Sequence, residues 1–147
     1  MAVARRGKKM WAMQRMQREF AMTKILLIED EAPVREMLLD ELTVQGYDVI
    51  EAANGEEGLQ KFLENEPDIV LCDRAMAGMS GYDVLARIRG AHPQYDEVPF
   101  VFLTALTDPR DKAAVEHLRP AAYIEKPVDF NNLTEQIKNL IVRKKSG

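Results

Sequence analysis

The chain has 147 residues, 46% hydrophobic and 30% charged, which suits one globular domain with a true core and excludes a collagen-like, coiled-coil or wholly disordered chain. Its longest apolar runs, such as Ile25 to Ile28, fall far short of the roughly 20 residues that span a bilayer, and the single cysteine, Cys72, has no intramolecular disulfide partner, so a soluble protein of a reducing, cytoplasmic compartment is expected. The net charge of −4 divides unevenly: residues 1–21 hold six basic side chains against Glu19, leaving 14 basic and 23 acidic ones, a net −9, to residues 22–147, a body expected to repel nucleic acid and anionic membranes.

In the basic leader, Met10, Met13, Met16 and Phe20 recur at helical steps beside Trp11, so an amphipathic partner- or membrane-binding helix is one reading. The preferred expectation is a mobile extension over residues 1–21 ahead of a domain at 22–142, with a basic tail at 143–147, because termini are ordered only when docked.

From Lys24 onward, β-branched apolar runs alternate with segments of helical period. Ile25 to Ile28 reads as a strand buried on both faces. Val34, Met37, Leu38 and Leu42 then recur at three- and four-residue steps, with Pro33 suited to a first helical turn and Gly46 to the end. Tyr47 to Ala52 is a second strand. Asn54 with Glu57 three residues on is a helix-start signal, for a helix carrying Leu59, Phe62 and Leu63 and stopped by Pro67. Asp68 to Cys72 is a third strand ending in Asp73, and a Gly-containing loop leads to a helix with Tyr82, Leu85 and Ile88. A long turn through Pro93 precedes the fourth strand, Phe100 to Leu103, and a weaker Ala-rich helix near Arg110 to Leu118. Ala122 to Ile124 is a short fifth strand, and the last helix carries Leu133, Ile137, Leu140 and Ile141 before Arg143, Lys144 and Lys145.

Five strands alternating with five helices predict an α/β protein, a parallel sheet sandwiched between helices, whose ligands sit at the carboxyl ends of the strands. Those ends carry Glu29, Asp30 and Glu31; Asp73; Thr104 and Ala105; and Lys126 and Pro127. Crowded carboxylates cost several kcal/mol or take up protons unless a cation compensates. A hard divalent ion such as Mg²⁺, octahedral at roughly 2.1 Å, satisfies one or two carboxylates together with carbonyls and waters. Lys126 adds a second positive charge, and the cluster suits a metal and a transferred phosphoryl group.

The segments Lys24-Ile-Leu-Leu-Ile-Glu-Asp-Glu31, Asp68-Ile-Val-Leu-Cys-Asp73, Met76-Ala-Gly-Met-Ser-Gly81, Phe102-Leu-Thr-Ala105 and Tyr123-Ile-Glu-Lys-Pro127, in this order and spacing, resemble the receiver domain of two-component response regulators, over about residues 23–142. The resemblance implies a (βα)5 flavodoxin-like three-layer α/β/α sandwich with strand order 2-1-3-4-5. It implies that Asp73 accepts a phosphoryl group from a histidine kinase or phosphotransfer protein. Asp30 would ligate Mg²⁺ (Mn²⁺ is an alternative), with Glu29 acting through water and the Ala75 backbone carbonyl as a further ligand. Thr104 would hydrogen-bond the new phosphoryl oxygen, Lys126 would pair with it, and Tyr123 would be an aromatic switch that buries as Thr104 moves inward. The face of the fourth helix, fifth strand and fifth helix would then contact a protein target, with a phosphorylation-dependent dimer as an open alternative.

Three departures from the family pattern stand out. Glu29 replaces the commoner Asp, Ala77 stands where Pro is usual, and Ala75 and Leu106 occupy positions that tune the phosphoryl lifetime. Taken singly, each site residue has a plainer explanation: Asp73 starts a turn, Glu29 to Glu31 solvate a helix N-terminus, Thr104 caps a segment, Lys126 and Pro127 make a turn, and Tyr123 packs. Their joint placement outweighs these. Cys72 is expected in the core, and His92 and His117, without paired ligand spacing, at the surface.

The sequence thus predicts a stand-alone receiver, not an enzyme, since no output module follows Gly147. The competing readings are a Mg²⁺-dependent aspartyl-phosphate phosphatase or phosphotransferase, against which Ala75 stands where such enzymes place a second aspartate, and an unphosphorylated pseudo-receiver acting only as an interaction module.

Overall fold

A computed structural model describes residues 22–105 and 109–146. Among them, five strands form one parallel sheet: β1 (Lys24–Ile28), β2 (Asp48–Ala52), β3 (Ile69–Asp73), β4 (Phe100–Thr104) and β5 (Ala122–Glu125), in the order β2-β1-β3-β4-β5. The connecting helices are α1 (Ala32–Val44), α2 (Gly55–Asn65), α3 (Gly81–Ala91), α4 (Pro109–Val115) and α5 (Phe130–Ser146). The flavodoxin-like α/β architecture and its strand order are as expected.

The pleat sorts the strand residues between two cores. Leu26, Ile28, Val70, Cys72, Phe100 and Phe102 pack beneath Phe62 of α2 and Val84, Leu85 and Ile88 of α3. Ile25, Leu27, Ile69, Leu71, Val101 and Leu103 face the other way, onto Leu38 and Leu42 of α1 and Leu133 and Ile137 of α5. Strands β3 and β4 are therefore buried along their whole length, which is why they read as unbroken apolar runs, whereas the edge strand β2 is only partly covered. Cys72 lies in the core, as expected.

Local signals set the helix ends. The Asn54 side chain accepts from the Glu57 N–H at 2.8 Å, while Glu57 Oε2 accepts from the Ala53 N–H. At the start of α3 the exchange is reciprocal: Ser80 Oγ accepts from the Asp83 N–H at 3.2 Å and Asp83 Oδ2 from the Ser80 N–H at 3.0 Å. Gly46, at φ 95°, ends α1 as predicted, and α2 ends on Glu66 in the left-handed region just before Pro67.

The structure corrects the placing of two side chains and refines three elements. Met37 and Leu63 are 53% and 39% exposed, because the buried stripes are centred on Leu38 and Leu42 and on Phe62, and one step along a helix turns a side chain by about 100°. The turn through Pro93 contains a short 3-10 helix, Pro93–Tyr95. Helix α4 stops at Val115 and continues as a 3-10 turn, Glu116–Leu118. Helix α5 runs through the basic segment to Ser146. The leader, residues 1–21, and Leu106 lie outside the described residues. Among the described residues no helix is long and apolar enough to cross a membrane.

Candidate functional site

Parallel strands present all their carboxyl ends at one edge of the sheet, and the register decides which residues meet there. Ile28 is level with Cys72, Asp73 with Leu103, and Thr104 with Glu125. Glu29, Asp73, Thr104 and Lys126 therefore each stand at, or one residue beyond, the end of a neighbouring strand. Strands β1 and β3 are central neighbours from which the chain departs in opposite directions, so the cluster sits in the crevice where this fold binds ligands.

The Lys126 ammonium donates to Glu29 Oε1 at 2.7 Å and to Asp73 Oδ2 at 3.2 Å. Asp73 Oδ1 accepts from the Ala75 N–H at 3.2 Å, and the Lys126 N–H bonds the Thr104 carbonyl at 2.8 Å. Glu29, Asp73 and Thr104 are buried, while Asp30 is exposed at the rim. Ala75 is exposed as well, on the loop after β3 that turns at Gly78, φ 79°. Burial pushes the Glu29 carboxyl up to about 7, and the Asp73 carboxylate adds to this more than Lys126 offsets it. Lys126 answers in the opposite sense: burial disfavours its charge, but Glu29 and Asp73 together hold its pKa above the ordinary lysine value.

One carboxylate oxygen from each of Glu29, Asp30 and Asp73 lies within 4.8 Å of the other two, and Glu29 Oε2 is buried with no hydrogen-bond partner among the described residues. Three carboxylates facing one ammonium leave two negative charges uncompensated, and the donor set is oxygen. Both features fit a divalent hard cation such as Mg²⁺, which takes carboxylate, carbonyl and water oxygens.

Several residues that support the site escape sequence reasoning. Arg35 donates from Nη1 to the Glu29 carbonyl at 2.8 Å and pairs through Nε with Glu51 at 3.4 Å, fixing the turn that carries Glu29 and Asp30. Its signal in the sequence is only a lone arginine one turn into the helix that follows the acidic run. Gly81 is required at the start of α3: a Cβ there would lie 2.5 Å from the Asp73 carbonyl oxygen, and its N–H bonds the Arg74 carbonyl at 2.9 Å. The Arg74 guanidinium stands 5.1 Å from the centre of the Tyr82 ring.

The Tyr123 ring is half-buried, tilted against Phe102 at 5.8 Å and covered by the Lys112 ammonium at 5.0 Å. Its hydroxyl lies inside the fold without a hydrogen-bond partner among the described residues. An open groove of about 590 Å³, lined by Lys112, Ala113, Glu116, Arg119, Pro120 and Tyr123, borders the ring. His92 is half-buried and His117 exposed, and neither belongs to a cluster of potential metal ligands among the described residues.

The fold is that of CheY-like receiver domains, and the comparisons agree. Residues 25–138 match the family model of the response regulator receiver domain, and the chain belongs to that family. It is 38% identical over 120 residues to a protein named probable transcriptional regulator ycf27 of Porphyridium aerugineum, covering 82% of this chain and 48% of the relative. It is 34% identical over 122 residues to the transcriptional regulatory protein KdpE of Mycobacterium tuberculosis, covering 83% and 52%. The chain thus spans about half the length of the curated relatives it matches. Among solved structures, a putative response regulator of Chloroflexus aurantiacus superposes with a TM-score of 0.75 at 35% identity, covering 82% of this chain and 98% of that one. The chemotaxis protein CheY4 of Vibrio cholerae gives 0.77 at 28% identity, covering 82% and 99%.

Proposed function

We propose that Asp73 is a phosphoacceptor: one of its carboxylate oxygens forms a bond to the phosphorus of a phosphohistidine on a histidine kinase or phosphotransfer protein. The phosphorus–nitrogen bond breaks, its electron pair returns to the imidazole, and the imidazole takes a proton from solvent. The observation that carries this reading is the junction of Lys126 with Asp73 and Glu29 beside Asp30, four side chains from three strand ends.

Within it, Lys126 is placed to exchange part of its contact with Asp73 for a phosphoryl oxygen, and Thr104, at the end of β4, to donate its hydroxyl to another. Asp30 and Glu29, with the Ala75 carbonyl, are the residues that would hold Mg²⁺ or Mn²⁺. The bound ion would neutralise charge on the transferring phosphoryl group. The added charge of about −1.5 to −2 would then be read through Thr104 and Tyr123 at the α4, β5 and α5 face, where a cytoplasmic protein target docks. The groove beside Tyr123 supports this reading.

Incubation with Mg²⁺ and a small phosphodonor tests it. The expected result is one acid-stable, base-labile phosphoryl group per chain by mass, absent in Asp73→Asn. Rapid turnover of the donor without stable label would favour a phosphatase or phosphotransferase. No label from the donor or a cognate kinase would leave a pseudo-receiver.

A further inference from the structure

Two routes lead from Asp73 toward Tyr123. One follows β4 past Thr104, with Asp73 level with Leu103 and Phe102 level with Tyr123. The other starts at Arg74, the residue after Asp73, whose backbone is pinned on both sides: its N–H bonds the Leu103 carbonyl at 3.0 Å and its carbonyl accepts from Gly81 at 2.9 Å. Tyr82 follows Gly81 directly, so its ring is tied to the same loop, and the Arg74 guanidinium lies over that ring at 5.1 Å. The Tyr82 ring meets Phe102 edge-on, with centroids 4.8 Å apart and planes at 87°. Phe102 in turn leans on Tyr123 at 5.8 Å.

The far end of this second route returns to the Tyr123 hydroxyl. Burial raises that hydroxyl's pKa to about 12, the nearby Tyr82 adds to the rise and the Arg74 guanidinium opposes it. Tyr82 and Arg74 are therefore the neighbours of a buried hydroxyl that lacks a well-formed hydrogen bond among the described residues. The ring's position is therefore set by packing, with Phe102 against Tyr123 and Tyr82 behind Phe102.

We propose that Arg74 and Tyr82 form a second connection between Asp73 and Tyr123, independent of the Thr104 hydroxyl, in which Tyr82 is a positioning residue for the Tyr123 ring. The inference rests on the phosphoacceptor reading of Asp73. Negative charge added at Asp73 attracts the adjacent guanidinium and draws it off the face of Tyr82. Tyr82, released on that side, shifts against Phe102, and the Tyr123 ring moves with it. The Lys112 ammonium on the outer side of Tyr123 then feels the change at the surface of α4.

The test uses the full chain with ring-¹³C tyrosine. Its four tyrosines are assigned by single Tyr→Phe variants, and spectra with Mg²⁺ and a small phosphodonor are taken at matched phosphoryl stoichiometry, read by mass on the same samples. In Thr104→Ala, at least a third of the wild-type Tyr123 ring shift should persist. In Arg74→Met, which keeps length and apolar packing but loses the charge, and in Tyr82→Leu, which removes the ring, the shift should fall by about half. Arg74→Lys should restore most of it, and Thr104→Ala with Arg74→Met should abolish it. Loss of the whole shift in Thr104→Ala alone, or an unchanged shift in both Arg74→Met and Tyr82→Leu, overturns the second connection while leaving Asp73 a phosphoacceptor. Absence of label on the wild-type chain overturns the phosphoacceptor reading, and the inference with it.

Discussion

Lys126 Nζ stands 2.7 Å from Glu29 Oε1 across 97 residues of sequence, so the cation at the end of β5 holds the wholly buried carboxylate at the end of β1. The same ammonium reaches Asp73 at 3.2 Å, and this shared contact makes the pocket one electrostatic unit rather than a collection of strand-end acids.

Removing the cation leaves Glu29 buried with only a proton to neutralise it. Lys126→Met should therefore lower stability by about 1–3 kcal/mol, less than a fully buried pair would because the lysine is partly solvated. In a Glu29→Gln background the same substitution should cost less than half as much. Urea unfolding of the four proteins in a double-mutant cycle measures this.

The raised pKa of Glu29 gives a pH dependence for the protein kept free of metal by chelator. The folded state binds the Glu29 proton more tightly than the unfolded chain does, so this stabilisation is complete below the ordinary glutamate value of 4.5 and is lost as pH rises through about 7. Urea midpoints of the wild type should fall across that window relative to those of Glu29→Gln, which has no such proton to lose. Parallel midpoints for the two proteins would contradict the assignment.

Arg35 acts on the site through the Glu29 carbonyl. Arg35→Met should weaken Mg²⁺ binding by roughly 10-fold, the lower end of the usual effect of groups that orient ligands, and cost about 1 kcal/mol of stability. Isothermal titration with Mg²⁺, alongside unfolding, separates the two effects.

At Gly81 the obstacle to any side chain is backbone: the Asp73 carbonyl oxygen at 2.5 Å and the Arg74 Cα at 3.1 Å from an added Cβ. Gly81→Ala should destabilise by about 1–3 kcal/mol and shift the amide resonances of residues 73–75, whereas Gly90→Ala, in open space on the same helix, should be neutral or stabilising.

Arg89 ties together segments distant in sequence, donating to the carbonyls of Leu118 at 3.0 Å, Tyr95 at 3.1 Å, Val98 at 3.3 Å and Arg119 at 3.4 Å. Arg89→Ala should cost about 2–4 kcal/mol, since several carbonyls lose a charged donor at once. Hydrogen exchange should accelerate first at residues 93–99 and 118–121.

The amino-acid sequence by itself determined the alternation of strands and helices, the helix start at Asn54, the core position of Cys72 and the set of polar residues at the strand ends, because period, caps and turn residues act over a few positions. It also carried the family, since Glu29 to Glu31, Asp73, Thr104 and Lys126 stand in one order and spacing. Only the tertiary structure decided that Met37 and Leu63 face outward, since periodicity defines a stripe but not its centre, and that three arginines turn inward. Arg35, Arg74 and Arg89 read as ordinary polar positions, because a long side chain can lie in solvent or fold back onto carbonyls and rings, and which it does depends on groups that only strand register and helix packing bring within reach. The same reason places Tyr82 beside Tyr123: 41 residues separate them along the chain, and they meet only because α3 begins where β3 ends, against the flank of β4.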